Sequence, residues 1–370
     1  MSFSETDLIS LSVGLVIIAL VLSDVFQSII VPHYRPQGSR LSPLFISKLL
    51  WQPLRGHLIR RSRHTEQDLS LFAPAAIVSM LTFWLALLTS GYAMILWAER
   101  SSVKPPLNNF GEALYFAATS VLTVGYGDVI ACSPVSRVTV IAAALSGLVL
   151  LAITVAFMFA VQSHFHNREV SAQIISSRHG HSKNGCVLYM RLLRDENAMS
   201  TLELCEHWLT DIYQSHSAYP ILLYFRSRSS RASWLIQLLV VLDAAACAMA
   251  MQKSECASVF ASIYENGVRA VDVFCQYLSL SRAADDLIQA PETFVPIFEN
   301  LGATNAQAAA LRFAGYRQRY FAGVAALSRF FLIEMPVFNY ADVLESRQLR
   351  YAAASPGNTV TFDGLLKPQK

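Results

Sequence analysis

A chain of 370 residues, 54% hydrophobic and only 15% charged, is too apolar for a purely water-soluble protein. Its net charge of +3 is small, and the uneven placement of that charge says more than the total. No nucleic-acid partner is expected from such a balance.

Crossing a hydrocarbon core takes about 20 consecutive apolar residues. Three stretches qualify: Leu8–Val31, Leu71–Ala98 and Val138–Val161. Before the first stand Glu5 and Asp7, with no basic stretch and no small-residue cleavage site, so residues 1–32 read as a retained anchor helix. Asp24 interrupts that span near its far end. A carboxyl at such depth is expected to hydrogen-bond or ion-pair with a neighbouring helix, with pH sensing as the alternative.

Residues 33–70 form a basic linker. Arg35, Arg40, Lys48, Arg55, Arg60, Arg61 and Arg63 face only Glu66 and Asp68, which places this loop in the cytosol. Within it, Leu41–Arg61 mixes Leu44, Phe45, Leu49, Leu50, Leu54 and Leu58 with basic residues and Trp51. That mixture suits an amphipathic helix on the inner membrane surface, broken into pieces by Pro43 and Pro53. The second span then runs outward. A short helix is expected over Phe110–Leu122, capped by Asn108 or Asn109, with Glu112 in its first turn.

Immediately after it comes Thr123-Val124-Gly125-Tyr126-Gly127-Asp128. Successive carbonyls can point to one side only with backbone angles that L-residues resist, and Gly125 and Gly127 relax that demand. Asp128 would sit at the outer mouth, to concentrate cations or to anchor the loop. This string, between two spans and after a short helix, resembles the selectivity filter of tetrameric potassium channels. The resemblance covers residues 72 to 165, about a quarter of the chain.

The resemblance implies an outer helix, pore helix, filter and inner helix, with four chains around one axis. Potassium, the permeant ion, would be coordinated by the backbone carbonyls of Thr123, Val124, Gly125 and Tyr126 and by the Thr123 hydroxyl. Tyr115 and Phe116 would form an aromatic collar around the filter. Gly147 falls where the family has its inner-helix hinge, and Arg137 matches a recurrent basic residue. Leu122 and Ser120 depart from the usual threonines, and Val129-Ile130-Ala131-Cys132 displaces the usual proline. Below Gly147, Leu148, Leu151, Val155 and Phe159 recur at three- and four-residue steps. They would either pack on the outer helix or, with Val155 and Phe159 foremost, close the inner mouth. No span carries arginines at every third position, so no voltage sensor is expected.

From His166 on the pattern becomes water-compatible. Helices are expected over Ser200–Tyr213, Ala232–Met251, Ser254–Tyr277, Ala306–Phe321 and Val324–Ile333. Breaks fall at Gly180, Gly185, Ser227–Ser230 and Pro291–Pro296. The stretch Trp234–Ala250 is apolar enough to be a fourth span. Its seven Leu, Ile and Val residues gain about 3 kcal/mol on insertion, and Asp243 alone costs about 2.5–3.5. It is therefore taken as a buried helix of the soluble part.

The pair His179 and His181 reads as a solvated loop before a metal site, and Asp285-Asp286 and Arg194-Asp195-Glu196 as exposed charge. Cys186, Cys205, Cys247, Cys256 and Cys275 are expected reduced and Cys132 a free thiol near the outer mouth.

The chain thus reads as an all-α membrane protein with five parts: the anchor helix 1–32, the linker 33–70, a pore module 71–165, a helical cytosolic domain 166–355 and a flexible tail 356–370. The expected function is passive potassium conduction by a homotetramer in the cell (inner) membrane, N-terminus outside. An unidentified ligand or partner would act on the cytosolic domain. The alternative is a sensor that uses the pore module mainly as a tetrameric scaffold. No organic cofactor and no enzymatic activity are expected.

Overall fold

A computed structural model of the protein describes residues 4–30, 41–61, 69–195, 197–227, 232–252, 256–281 and 289–336. Arg35, Arg40, Arg63, Glu66, Asp68, Glu196, Arg228–Ser230, Asp285, Asp286 and the 356–370 tail lie outside these residues. The chain divides into two compact units. One extends to His166 and also takes in Ser215–Arg226; the other comprises Asn167–Gln214 and the residues from Ser227 onward.

In the first unit, α1 (Glu5–Val25) opens with a capping box: Asp7 N–H donates to Ser4 Oγ, and Ser4 N–H donates back to Asp7 Oδ2. A π-helical turn, Phe26–Ile30, extends it. It packs along α4 (Phe72–Ala98), and the two backbones touch at Gly14 and Gly91. A Cβ on Gly14 would lie 2.6 Å from the Gly91 carbonyl oxygen, so only glycine fits. Asp7 also accepts a 2.5 Å ion pair from Arg100, just past the end of α4.

Asp24 has the neighbouring-helix partners expected of it. Its carboxylate accepts from Trp84 Nε1 of α4 at 2.8 Å, from Leu41 N–H at 3.0 Å and from the Ser42 hydroxyl. The anchor helix, the linker and α4 are thereby tied at one buried point.

The linker is not broken as its prolines suggested. α2 (Leu41–Leu44) runs through π-helical Phe45–Trp51 into α3 (Gln52–Arg61). Pro43 sits in a first turn, where its missing N–H costs nothing. The wide turns before Pro53, where Gln52 N–H reaches back to Ser47 O, make room for its ring. Phe45 stacks on Phe83 with ring centroids 4.4 Å apart, and Trp51 meets Phe72 at 4.8 Å.

Beyond α4, β1 (Val103–Lys104) pairs antiparallel with β2 (Ile130–Ala131), in the register Val103 to Ala131. Between them lies α5 (Phe110–Val121), and after β2 begins α6 (Pro134–Arg178). The sequence ended this last helix at Val161, the edge of its apolar stretch; the backbone stays helical well beyond it. Only one stripe of α6 is buried in the first unit: Ser136, Ala143, Gly147, Leu150, Thr154, Val161 and Phe165.

The second unit takes the last turns of α6, α7 (Gly185–Leu192), most of α8 (Ala198–Ala218), α9 (Trp234–Met251), α10 (Ala257–Tyr277), α11 (Val295–Asn300) and α12 (Ala306–Phe331). Two expectations need correction. Gly185 opens a helix and does not end one; its bare Cα lets α7 meet the backbone of α9 at Val240 and Ala244. The expected helices 306–321 and 324–333 are a single α12, because Gly323 packs against Val271 of α10 inside the bundle.

α9 is the bundle's centre, packed by α7, α10 and α12. Of its apolar window 94% is buried, against 28%, 39% and 22% for the windows in α1, α4 and α6. Asp243 accepts from Arg317 Nε at 3.0 Å and Tyr320 Oη at 2.5 Å, and the Arg317 guanidinium lies 4.0 Å over the Phe321 ring. Burial, together with the adjacent Asp243 carboxylate, pushes the Tyr320 hydroxyl well above its usual range.

The His179–His181 turn is not solvated on both sides. His179 is fully buried, with Nε2 2.8 Å from Gln237 Oε1 of α9; His181 Nδ1 lies 3.0 Å from Ser176 Oγ. Among the described residues no cluster of metal-ligating side chains forms.

The close packing of α1 on α4 can be probed with two glycines. Replacing Gly91 with Leu drives a side chain into Ile18 Cγ1, 2.8 Å from where its Cβ would stand, and should destabilise the protein by about 1–3 kcal/mol. Gly56→Ala, in open space on α3, should be neutral or stabilise by about 0.5–1 kcal/mol. Melting temperatures in detergent will show whether the two variants move in opposite directions.

Burial lowers the His179 pKa; the Gln237 hydrogen bond opposes this, and Arg191 and His181 add to the lowering. The folded state thus resists a proton that the unfolded chain takes up near its ordinary pKa of about 6.5. Stability should be unaffected above that pH and fall by about 1.4 kcal/mol per unit below it, until the buried ring itself protonates. Denaturant titrations at pH 7.5 and 5.5 should show a smaller pH dependence in His179→Gln than in the wild type.

Candidate functional site

The loop between α5 and β2 is held from both ends. Asn109 caps α5 by accepting from Glu112 N–H at 3.0 Å, and Glu112 accepts in return from Asn108 N–H at 2.7 Å. This fixes where the helix starts, and its twelve residues fix where it ends. At that end the chain folds back: Thr123 N–H donates to Ser120 O at 3.0 Å, and Val124 N–H to Thr119 O at 2.8 Å.

Thr123 has φ +56°, Gly125 φ +56° and Gly127 φ +81°. Every second residue is therefore left-handed, which turns successive peptide planes so that their carbonyls can line one side. Glycine supplies two of these angles freely. Thr123 adopts the third against its own side-chain sterics, a strain that residue type alone gave no reason to expect.

Asp128 acts as an anchor. Tyr115 Oη of α5 donates to its Oδ2 at 2.8 Å, and Val129 N–H to its Oδ1 at 3.1 Å. Tyr115 is thus engaged by the loop's far end, and Phe116 is buried in the first unit's core. Ser102, which the sequence did not single out, gathers the flanking strands. Its carbonyl accepts from Cys132 N–H at 2.9 Å and from Ser136 Oγ at 3.2 Å. No sequence signal marks a backbone acceptor of this kind.

The side chains of the loop itself are exposed: Val124 by 48% and Tyr126 by 72%. Beside them opens a cleft of about 330 Å³, bordered by Thr119, Thr123, Tyr126, Asp128 and Val140. Cys132 is exposed nearby, and Arg137 Nε donates to Ala131 O at 3.3 Å. Farther along α6, Leu148, Leu151, Val155 and Phe159 are exposed by 57%, 48%, 40% and 70%. None of them is packed away on α4, which was one of the two readings left open for this face.

Gly147 lies under the end of α5. A Cβ built there would stand 1.9 Å from the Val121 carbonyl oxygen, so the two helices meet only because this residue has no side chain. Nearby, Ser146 Oγ donates to Tyr92 Oη of α4 at 3.2 Å. Gly147→Ala must push Val121, and with it the start of the loop, out of place. A loss of about 1–3 kcal/mol is expected, the usual range for overpacking. Melting of the variant beside Gly56→Ala checks it, and a melting temperature equal to wild type would contradict the close approach.

Comparison with known proteins bears on the same segment. Residues 79–163 match the family described as "Ion channel". A hyperpolarization-activated voltage-gated potassium channel of Methanocaldococcus jannaschii is 49% identical over 35 residues, 10% of this chain. The chain spans only 17% of that relative. No solved structure matches at a significant level. The Thr-Val-Gly-Tyr-Gly loop, seated between a capped short helix and a long apolar one, lies within the segment that matches the ion-channel family.

Proposed function

We propose that this chain is one of four identical subunits of a potassium-selective channel that conducts passively across a bilayer. The observation that carries the proposal is the alternating left-handed backbone at Thr123, Gly125 and Gly127, directly after a helix whose C-terminal end bears a partial negative charge. Carbonyls of Thr123, Val124, Gly125 and Tyr126 would replace the ion's hydration shell, with Gly127 completing the loop and Asp128 at its outer mouth. One chain supplies one such loop, so a ring of carbonyls needs several chains. The exposed Val124 and Tyr126, the cleft beside them and the bare face of α6 are consistent with neighbours completing the pore.

In this reading Gly147 is the hinge of α6, and Val155 and Phe159 narrow the inner mouth when the pore closes, by bulk or by dewetting. Spans without Lys or Arg leave the channel without gating charges, although the matched relative is named for voltage gating. The positive charge of the linker supports a topology with the N-terminus outside and the C-terminal helices in the cytosol, where a ligand or partner would act. The membrane would be the cell (inner) membrane.

Flux into liposomes holding the purified full-length protein tests the proposal, with Gly125→Asp as control. Potassium should enter about tenfold or more faster than sodium, a difference of at least about 1.4 kcal/mol. The aspartate variant should abolish the flux, since its side chain enters a backbone angle that only glycine adopts readily. Equal entry of both ions would overturn the selectivity. Flux unchanged by the substitution would remove this loop from the pathway.

A further inference from the structure

The run Ser215–Arg226 comprises the last turn of α8 and the connector to α9, within the 166–355 stretch expected above to form one cytosolic domain. It nevertheless packs in the first unit. α8 ends at Ala218, Pro220–Tyr224 follows as a 3-10 turn, and Ile221, Leu222, Leu223, Tyr224 and Phe225 are all buried. Five consecutive buried apolar residues in a connector are unusual, since loops ordinarily run over the surface.

Its aromatic rings reach two places. The Tyr219 ring lies 5.7 Å from Phe157 and 5.3 Å from His164, and Phe225 lies 5.2 Å from Phe165, all three on α6. Tyr224 turns the other way, 5.7 Å from Trp51 of the linker and 5.6 Å from Phe72 in the first turn of α4. Trp51 and Phe72 touch each other, so the run closes an aromatic chain between the two helices.

We infer that Ser215–Arg226 is a clasp joining the Phe157–Phe165 stretch in the middle of α6 to the start of α4, and that its position sets the spacing between that stretch and the first turn of α4. Both ends of the run lead by covalent chain into the second unit: through α8 on one side, and through Ser227 on the other. Ser227 Oγ donates to Glu169 Oε1 at 2.9 Å and accepts from Trp234 N–H at 3.0 Å. The run is thus held in the first unit while the chain on either side of it belongs to the second. Phe157 stands between Val155 and Phe159, so the link to conduction rests on the proposed role of that region; the clasp itself does not.

Two readouts on the full-length protein separate these claims. In hydrogen exchange, Tyr224→Ala removes the ring that meets Trp51 and Phe72. Through the clasp it should raise exchange at least threefold across Phe157–Phe165. Phe45→Ala loosens the linker from α4 by a different contact and should leave Phe157–Phe165 unchanged. Tyr224→Phe keeps the ring and should match the wild type. Exchange confined to the linker in Tyr224→Ala, or the same rise in Phe45→Ala, would overturn the clasp.

In potassium flux, Tyr219→Ala and Tyr224→Ala should both depart from wild type at least threefold and in the same direction, while Phe45→Ala stays near it. Unchanged flux alongside altered exchange would overturn the coupling to conduction. A wild type that carries no potassium would count against the proposed function, and exchange would still decide the clasp.

Discussion

A backbone that alternates left- and right-handed residues over five positions does not hold itself up. Its amides and carbonyls are turned away from regular partners, and Thr123 is strained. Everything nearby in the first unit compensates for this. The Asn109 cap sets the register of α5, the Ser120 and Thr119 carbonyls receive the amides of Thr123, Val124 and Gly125, and Asp128 is tied back to Tyr115. The β1–β2 pair closes the outer ends onto each other. Gly147 then lets α6 come up beneath Val121. In a bilayer, irregular backbone is tolerated only where protein buries it or water lines it, so these supports are a condition of the loop's existence.

How much of this could be read in the sequence depended on how local the cause was. The end of α6 was not legible, because its helix outlasts its apolar stretch. The cap of α5 and the glycines of the loop are set by neighbours a few residues away, and they were legible. So was the depth of Asp24, although nothing in sequence named Trp84 and Ser42 as its partners. The linker misled for a related reason: Pro43 falls in a first turn that tolerates it, and the π-helical turns before Pro53 absorb its ring without ending the helix. Gly185 was read as a break because a lone glycine signals freedom; in the bundle it and Gly323 are points of contact where a side chain would not fit. The clasp could not have been foreseen, since a buried apolar run in a connector looks like any other piece of core until its partners are known.

α9 shows the limit of composition most directly. At 18 residues it is shorter than the helices expected to span a membrane, yet still long and apolar enough to cross one. What separates it is that its whole circumference is used: α7, α10 and α12 cover it, and Asp243 is satisfied by Arg317 and Tyr320. A buried ion pair of this kind adds little net stability, because desolvation of both charges offsets their attraction. Removing one partner is another matter, since it strands the other in an apolar core. The pair therefore fixes which face of α12 meets α9 more than it strengthens the bundle.

The opposite condition holds along α6. Only a narrow stripe of it is covered in the first unit, while Val138, Ile141, Leu145, Leu148 and Phe159 stand 57–70% exposed. In water such a face would demand cover. In lipid an exposed apolar side chain costs nothing, and helices associate through close packing and hydrogen bonds instead. Apolar exposure alone thus does not say which residues face lipid, which face a neighbouring subunit and which face a water-filled pore. The backbone narrows the choice. The side of α6 next to the loop's cleft must share its surroundings with Tyr126 and Val124, and a loop proposed to coordinate ions cannot leave those surroundings to fluid lipid. Rigid protein has to fill that cleft, and under the proposed function the nearest source is another copy of the same chain.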